Sequence, residues 1–177
     1  NYFTIYSPSL YLPDSDCDIL RVTYKSKKRY RDIVEAYAYH FKRETHYDFV
    51  QFSSNENPKG SDFIIYDAYL FLLDDLNIKN YYDPIKKRVV GACCFRKRFL
   101  ENFDHYWSMD WIWIHPYCRH RGLLKGKWEY FNNKYNGFYV EPPHSIEMEA
   151  FLQSKSWEDD VSKYIKKYQR APIKFDE

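Results

Sequence analysis

Glycine is scarce in this chain, with five among 177 residues. Each one therefore calls for a local reason, a turn or a close backbone approach. Surplus charge is also missing: 27 Lys and Arg against 25 Asp and Glu leave a net charge of +2. A general polyanion binder would carry a larger basic excess, so nucleic acid is not the expected partner. Four cysteines, Cys17, Cys93, Cys94 and Cys118, show neither metal-ligand spacing nor a disulfide framework. No metal site is expected, and reduced, buried thiols fit a cytoplasmic protein. No apolar run approaches the length of about 18 residues that a membrane span requires. No secretion-signal pattern is present, and the start at Asn1 fits an N-terminal segment that has been removed. Repeats, low-complexity tracts and an interdomain linker are absent as well, so residues 1–177 are expected to form a single domain.

Aromatic residues are abundant: 19 Tyr, 13 Phe and 5 Trp make up 21% of the chain. The mean hydropathy is nevertheless −0.73. Tyrosine must carry much of the apolar surface, with polar tips kept close to water or to a partner. Basic residues cluster over Lys25 to Arg31, Lys86 to Arg88, Arg96 to Arg98 and Arg119 to Lys127. The first two are expected to be solvated faces. The last sits on a turn with a chemical meaning of its own.

The periodicities order the chain. Residues 1–18, with Pro8 and Pro13, read as an irregular arm. Ile19 to Tyr24 suits a short strand. Lys27 to Glu44 reads as a helix with Tyr30, Ile33, Val34, Tyr37, Ala38 and Phe41 on one face. Asn55 to Ser61 is a turn region, Phe63 to Leu73 a strand, and Asp74 to Lys87 a polar connection. Arg88 to Phe95 is a strand containing Gly91, and Arg96 to Tyr106 a charged loop. Trp107 to Ile114 is a strand whose alternation puts Trp107, Met109, Trp111 and Trp113 on one face. A helix follows from Leu123 to about Tyr135, stopped by Asn136-Gly137. Phe138 to Val140 is a short strand, broken by Pro142-Pro143. Ser145 can cap a helix to about Lys155 with Met148, Phe151 and Leu152 inward. Trp157, Val161, Tyr164, Ile165 and Tyr168 mark a last helix. Strands alternating with helices in this order predict a mixed α/β sheet covered by helices.

The run from Ile114 to Leu124, Ile-His-Pro-Tyr-Cys-Arg-His-Arg-Gly-Leu-Leu, is the most informative stretch. A strand leads into a basic, Gly-containing turn and then a helix, which is a phosphate-binding arrangement. The first helical N–H groups lack intrahelical partners, and the helix dipole adds positive potential there. Arg119 and Arg121 add charge suited to phosphate oxygens. Gly122 lets the backbone approach an anion.

This turn resembles the central motif of the GNAT superfamily of acyl-CoA-dependent N-acetyltransferases, Arg/Gln-x-x-Gly-x-Gly/Ala. It reads Arg119-His120-Arg121-Gly122-Leu123-Leu124, after the apolar-x-Pro element Ile114-His115-Pro116. Arg88-Val89-Val90-Gly91-Ala92 is similar to the family's valine-glycine strand. Glu141-Pro142-Pro143-His144-Ser145 is broadly similar to an acidic, proline-containing segment of the cohesin acetyltransferase branch. Leu124 departs from the motif, which has Gly or Ala where the backbone nears the pyrophosphate. The likeness covers residues 88–155, which would form the cofactor-binding core.

The resemblance implies a mostly antiparallel central sheet flanked by helices, and acetyl-CoA as acyl donor. It implies that the backbone of Ile112, Trp113 and Ile114 holds the pantetheine arm like an added strand. It also implies that the backbone of Arg119, His120, Arg121, Gly122, Leu123 and Leu124 cradles the pyrophosphate. The acceptor would be an amine of a protein, peptide or small molecule, attacking the thioester directly. An acidic or His side chain near the thioester must then take a proton, directly or through water. Glu141, ending the fifth strand, is the first candidate and Asp110 the second. Either residue can equally be a structural hydrogen-bond acceptor. Ser145 is a candidate contact or proton donor, against the plain reading of a helix cap. Two further readings remain: a non-catalytic CoA-binding sensor of the same fold, and a nucleic-acid-binding protein. The sequence is silent on oligomeric state.

Overall fold

The computed structural model describes residues 5, 7–12, 16–75, 86–100 and 103–157. Six strands form one open sheet: β1 (Ser9–Tyr11), β2 (Ile19–Val22), β3 (Tyr66–Asp74), β4 (Lys86–Leu100), β5 (Phe103–Ile114) and β6 (Tyr139–Val140). The order is β2-β3-β4-β5-β6, with β1 pairing to β4. All pairings are antiparallel except the parallel rung between β5 and β6. Helices α1 (Lys28–Thr45), α2 (Leu123–Tyr135) and α3 (Ile146–Ser154) complete the described elements, with a single 3-10 turn over Pro116–Cys118. The expected mixed, mostly antiparallel α/β architecture is present. Among the described residues, no helix is long and apolar enough to cross a membrane.

The sheet separates two cores. Alternation along β3 sends Ala68, Leu70 and Leu72 to one face, where Ile33, Val34, Tyr37, Ala38 and Phe41 of α1 cover them. Tyr69 and Phe71 face the other way, against Trp128, Phe131 and Tyr135 of α2. The inward residues of both helices are those that their 3.6-residue period singles out. Both helices stop on left-handed residues, His46 and Asn136, whose N–H groups close back on Lys42 and Asn132. Three buried tyrosines find partners for their hydroxyls. Tyr37 donates to the Val89 carbonyl at 2.7 Å, and Tyr69 and Tyr135 meet at 2.8 Å.

Three expectations change. The N-terminal arm is not wholly irregular, because Ser9–Tyr11 pairs with Lys86–Arg88 and buries Leu10. The charged stretch from Arg96 to Tyr106 is not a loop: Arg96, Lys97 and Arg98 pair with Ser108, Trp107 and Tyr106 in a long hairpin. Its polarity is compensated across the strands, a long-range effect that local composition does not carry. The even alternation expected for Trp107 to Ile114 also fails. The register shifts by one residue at Asp110, with Cys94 opposite Trp111 but Phe95 opposite Met109. This bulge turns Met109 and Trp107 toward α2 while Trp111 and Trp113 face α1. The helix expected from Trp157 onward lies, beyond Trp157 itself, outside the described residues, as do residues 76–85 of the expected polar connection.

Candidate functional site

Strands β5 and β6 run together for only two residue pairs, Ser108 with Tyr139 and Met109 with Val140. One further bond, from the Glu141 N–H to the Met109 carbonyl at 2.9 Å, closes the rung. Then the strands part. Asp110 kinks β5, and Pro142-Pro143 has no N–H with which to continue β6. The edge of β5 from Asp110 to Ile114 thus borders a cleft of about 580 Å³. Val140 and Glu141 form the opposite wall, the start of α2 closes one end, and Phe41, Glu44, Met148 and Phe151 reach in from α1 and α3.

At the α2 end, Gly122 is the N-cap at φ 77°, and no side chain caps the helix. The Gly126 N–H closes the first turn onto the Gly122 carbonyl. The N–H groups before it are left without intrahelical partners. Nothing stands within 4 Å of where a Gly122 side chain would begin, so the glycine serves the left-handed turn and leaves open space before the helix. His120 is also left-handed, at φ 58°. Leu123 and Leu124 line the cleft and pack on the α2-side core.

Arg119 is already engaged. Its Nε donates to the Ile114 carbonyl at 2.8 Å, and its terminal nitrogen to Glu44 at 2.6 Å. The guanidinium lies 5.7 Å from the Trp113 ring centre, and the Trp113 indole N–H donates to the same Glu44 oxygen at 2.7 Å. Burial works against the Glu44 charge, but the bonds from Arg119 and Trp113 outweigh it and hold its pKa below the usual value. Arg119 thus ties the turn to the end of α1 rather than standing free for a phosphate.

The two carboxylates singled out from the sequence sit one rung apart in unlike surroundings. Asp110 is buried and paired with Arg96 at 3.2 Å and Arg98 at 3.0 Å, and it accepts from the Ser108 hydroxyl at 2.5 Å. Glu141 is half-buried. Among the described residues no hydrogen bond or ion pair engages its carboxylate. Burial pushes its pKa up, with Asp110 acting in the same sense and Arg98 and His144 opposing. Such a group is a better proton acceptor than an ordinary exposed carboxylate. Ser145 caps α3, accepting from the Met148 N–H at 3.2 Å. His144 Nε2 lies 3.0 Å from the Val140 carbonyl.

Ile112, Trp113, Ile114, Arg119, His120, Gly122, Leu123, Leu124, Asp110, Glu141 and Ser145 therefore border one cleft, whereas Arg121 is exposed outside its walls. Sequence reasoning missed Glu44, an acid in the last turn of α1 with no local mark of function. It also missed Arg98, which looked like part of a loop. No family model matches this chain, and no curated protein matches it.

Proposed function

We propose that this protein is an N-acetyltransferase that moves an acetyl group from acetyl-CoA to an amine. One observation carries the reading. A single cleft joins the edge of β5 beyond its rung with β6, the start of α2 without a side-chain cap and a half-buried carboxylate that has no hydrogen-bond partner among the described residues. Amides of a pantetheine arm would pair with the backbone of Ile112 to Ile114 as a strand would. Pyrophosphate would take the free N–H groups before α2, with Arg121 nearby and Arg119 partly released from Glu44.

Glu141 accepts a proton from the ammonium of the acceptor, directly or through water. The amine nitrogen then attacks the thioester carbonyl carbon. A C–N bond forms, the C–S bond breaks, the nitrogen gives up its second proton, and the leaving CoA thiolate takes up that proton. Holding both reactants in the cleft lowers the entropic part of the barrier.

Leu124 favours a second reading, a module that binds CoA without transferring from it, because its side chain occupies cleft space at the helix start. Calorimetric titration with CoA and a transfer assay over a panel of amines separate the two. The expected result is CoA binding with transfer to at least one amine class. Glu141→Gln should keep the affinity and lower turnover by about 100-fold or more. Binding without transfer would favour the second reading, and absence of CoA binding would overturn both.

A further inference from the structure

Asp110 is a buried carboxylate that the proposed transfer does not use. It occupies the bulge where β5 leaves β6, beside Glu141 across the closing rung. Two guanidiniums converge on it. Arg96 has a second anionic partner in Glu56, at 2.8 Å, and a further bond to the Gln51 carbonyl at 3.3 Å. Arg98 is held differently. Its Nε donates to the Ser108 hydroxyl at 3.0 Å and its terminal nitrogen to Asp110 at 3.0 Å, while Ser108 donates to Asp110. Among the described residues Asp110 is the only carboxylate bonded to Arg98. The charged and titratable groups acting on Glu141 are Arg98 from β4, Tyr106 and Asp110 from β5, and His144 beyond β6. Of these, Arg98 is a permanent cation on a long side chain that is 31% exposed and has room to turn.

We infer that Asp110 is a positioning residue: with Ser108 it holds Arg98 off Glu141, so that the Glu141 carboxylate stays unpaired and able to take a proton. This rests on Glu141 as the base of the proposed transfer. If Asp110 loses its charge, Arg98 turns to Glu141, and the resulting ion pair makes that carboxylate a weaker base.

The test is the titration of the Glu141 side-chain carboxyl, followed by NMR in protein carrying 13C-labelled glutamate and assigned by loss of the signal in Glu141→Gln. The acid limb of the pH–rate profile is measured alongside. Asp110→Asn should lower the proton affinity of Glu141 about tenfold, moving its titration and the acid limb to lower pH. KM for acetyl-CoA should not change. Loss of a nearby negative charge would by itself act in the same direction, so two further variants decide. In an Arg98→Gln background the Asp110→Asn shift should shrink to the part that the lost charge causes directly. Ser108→Ala, which loosens Arg98 without altering any charge, should produce a smaller shift of the same sign. An equal Asp110→Asn shift in both backgrounds, or no shift in Ser108→Ala, would overturn the inference. If Asp110→Asn does not fold, the shift in Ser108→Ala alone decides between the two outcomes. The titration needs no catalysis, so a protein that transfers nothing would refute the proposed function while the coupling is still read directly.

Discussion

Glu141 and Asp110 are both acids near the end of a short parallel rung, yet their neighbours push them toward different roles. Asp110 gains three strong donors and behaves as a structural anion. Glu141 gains burial without a partner among the described residues, which raises its pKa. A group of this kind also marks the pH dependence of stability. Its folded-state pKa lies above the unfolded value of about 4.3. It therefore favours the fold below the unfolded value, and that contribution is lost as pH rises through the folded value. Glu141→Gln should thus be more stable than the parent at pH 7, with the gap closing as pH falls toward 4. Urea unfolding at the two pH values measures this. A variant less stable than the parent at pH 7 would show that the carboxylate has a stabilising partner. The sequence marked Glu141 as a candidate from its place at a strand end and Asp110 from its place mid-strand, two residues before Ile112. It held no sign of which would be neutralised, because Arg96 and Arg98 arrive from another strand.

At the scale of elements, the helices were legible and the central hairpin only in part. The apolar stripes of α1 and α2 repeat every three to four residues, and the centre of each stripe is buried, with Tyr30 at the start of α1 half-buried. β5 has an equally clear period of two, but one extra residue at Asp110 reverses the faces on either side of it. Nothing in Trp-Ser-Met-Asp-Trp announces a bulge, since it depends on the register of the partner strand. Gly91 is explained only by this pairing. A side chain there would meet the Trp113 carbonyl at 2.8 Å and the Ile114 Cα at 3.1 Å. Gly91→Ala should force β5 away from β4 and destabilise the fold by about 1–3 kcal/mol. The shift would displace the cleft edge itself, so a change in tryptophan fluorescence from Trp113 should accompany the lower urea midpoint. An unchanged midpoint would mean that the strands separate more easily than their pairing suggests.

Among the described residues, one sheet divides two apolar clusters that have no residue in common. Ile33 belongs to the cluster under α1, and Phe131 to the cluster under α2. Ile33→Ala should destabilise by about 2–5 kcal/mol and Phe131→Ala by about 3–5 kcal/mol. With the sheet between them, the double variant should match the sum within about 0.5 kcal/mol. A larger deviation in denaturant melts would show that the sheet transmits repacking from one face to the other. Basic residues from the three earlier clusters find acidic partners: Lys28 with Asp32, Lys87 with Asp74, Arg88 with Asp75, and Arg96 with Glu56. Much of what reads as a basic run is therefore locally neutral, in keeping with a net charge of only +2.

The sequence by itself determined the local elements: two amphipathic helices, the Asn136-Gly137 stop of the second, the Gly122 turn before α2 and the presence of a strand ahead of it. These depend on periodicity and on single-residue backbone preferences, which act over a few positions. Only the tertiary structure decided the cleft. It exists because a bulge and a pair of prolines, 32 positions apart between Asp110 and Pro142, end the same parallel rung. Its electrostatics were decided in the same way. Arg119 is held by Glu44 from α1, and Asp110 by Arg98 from β4. Charges act through space, and which of them meet is settled only when the strands and helices that carry them have packed.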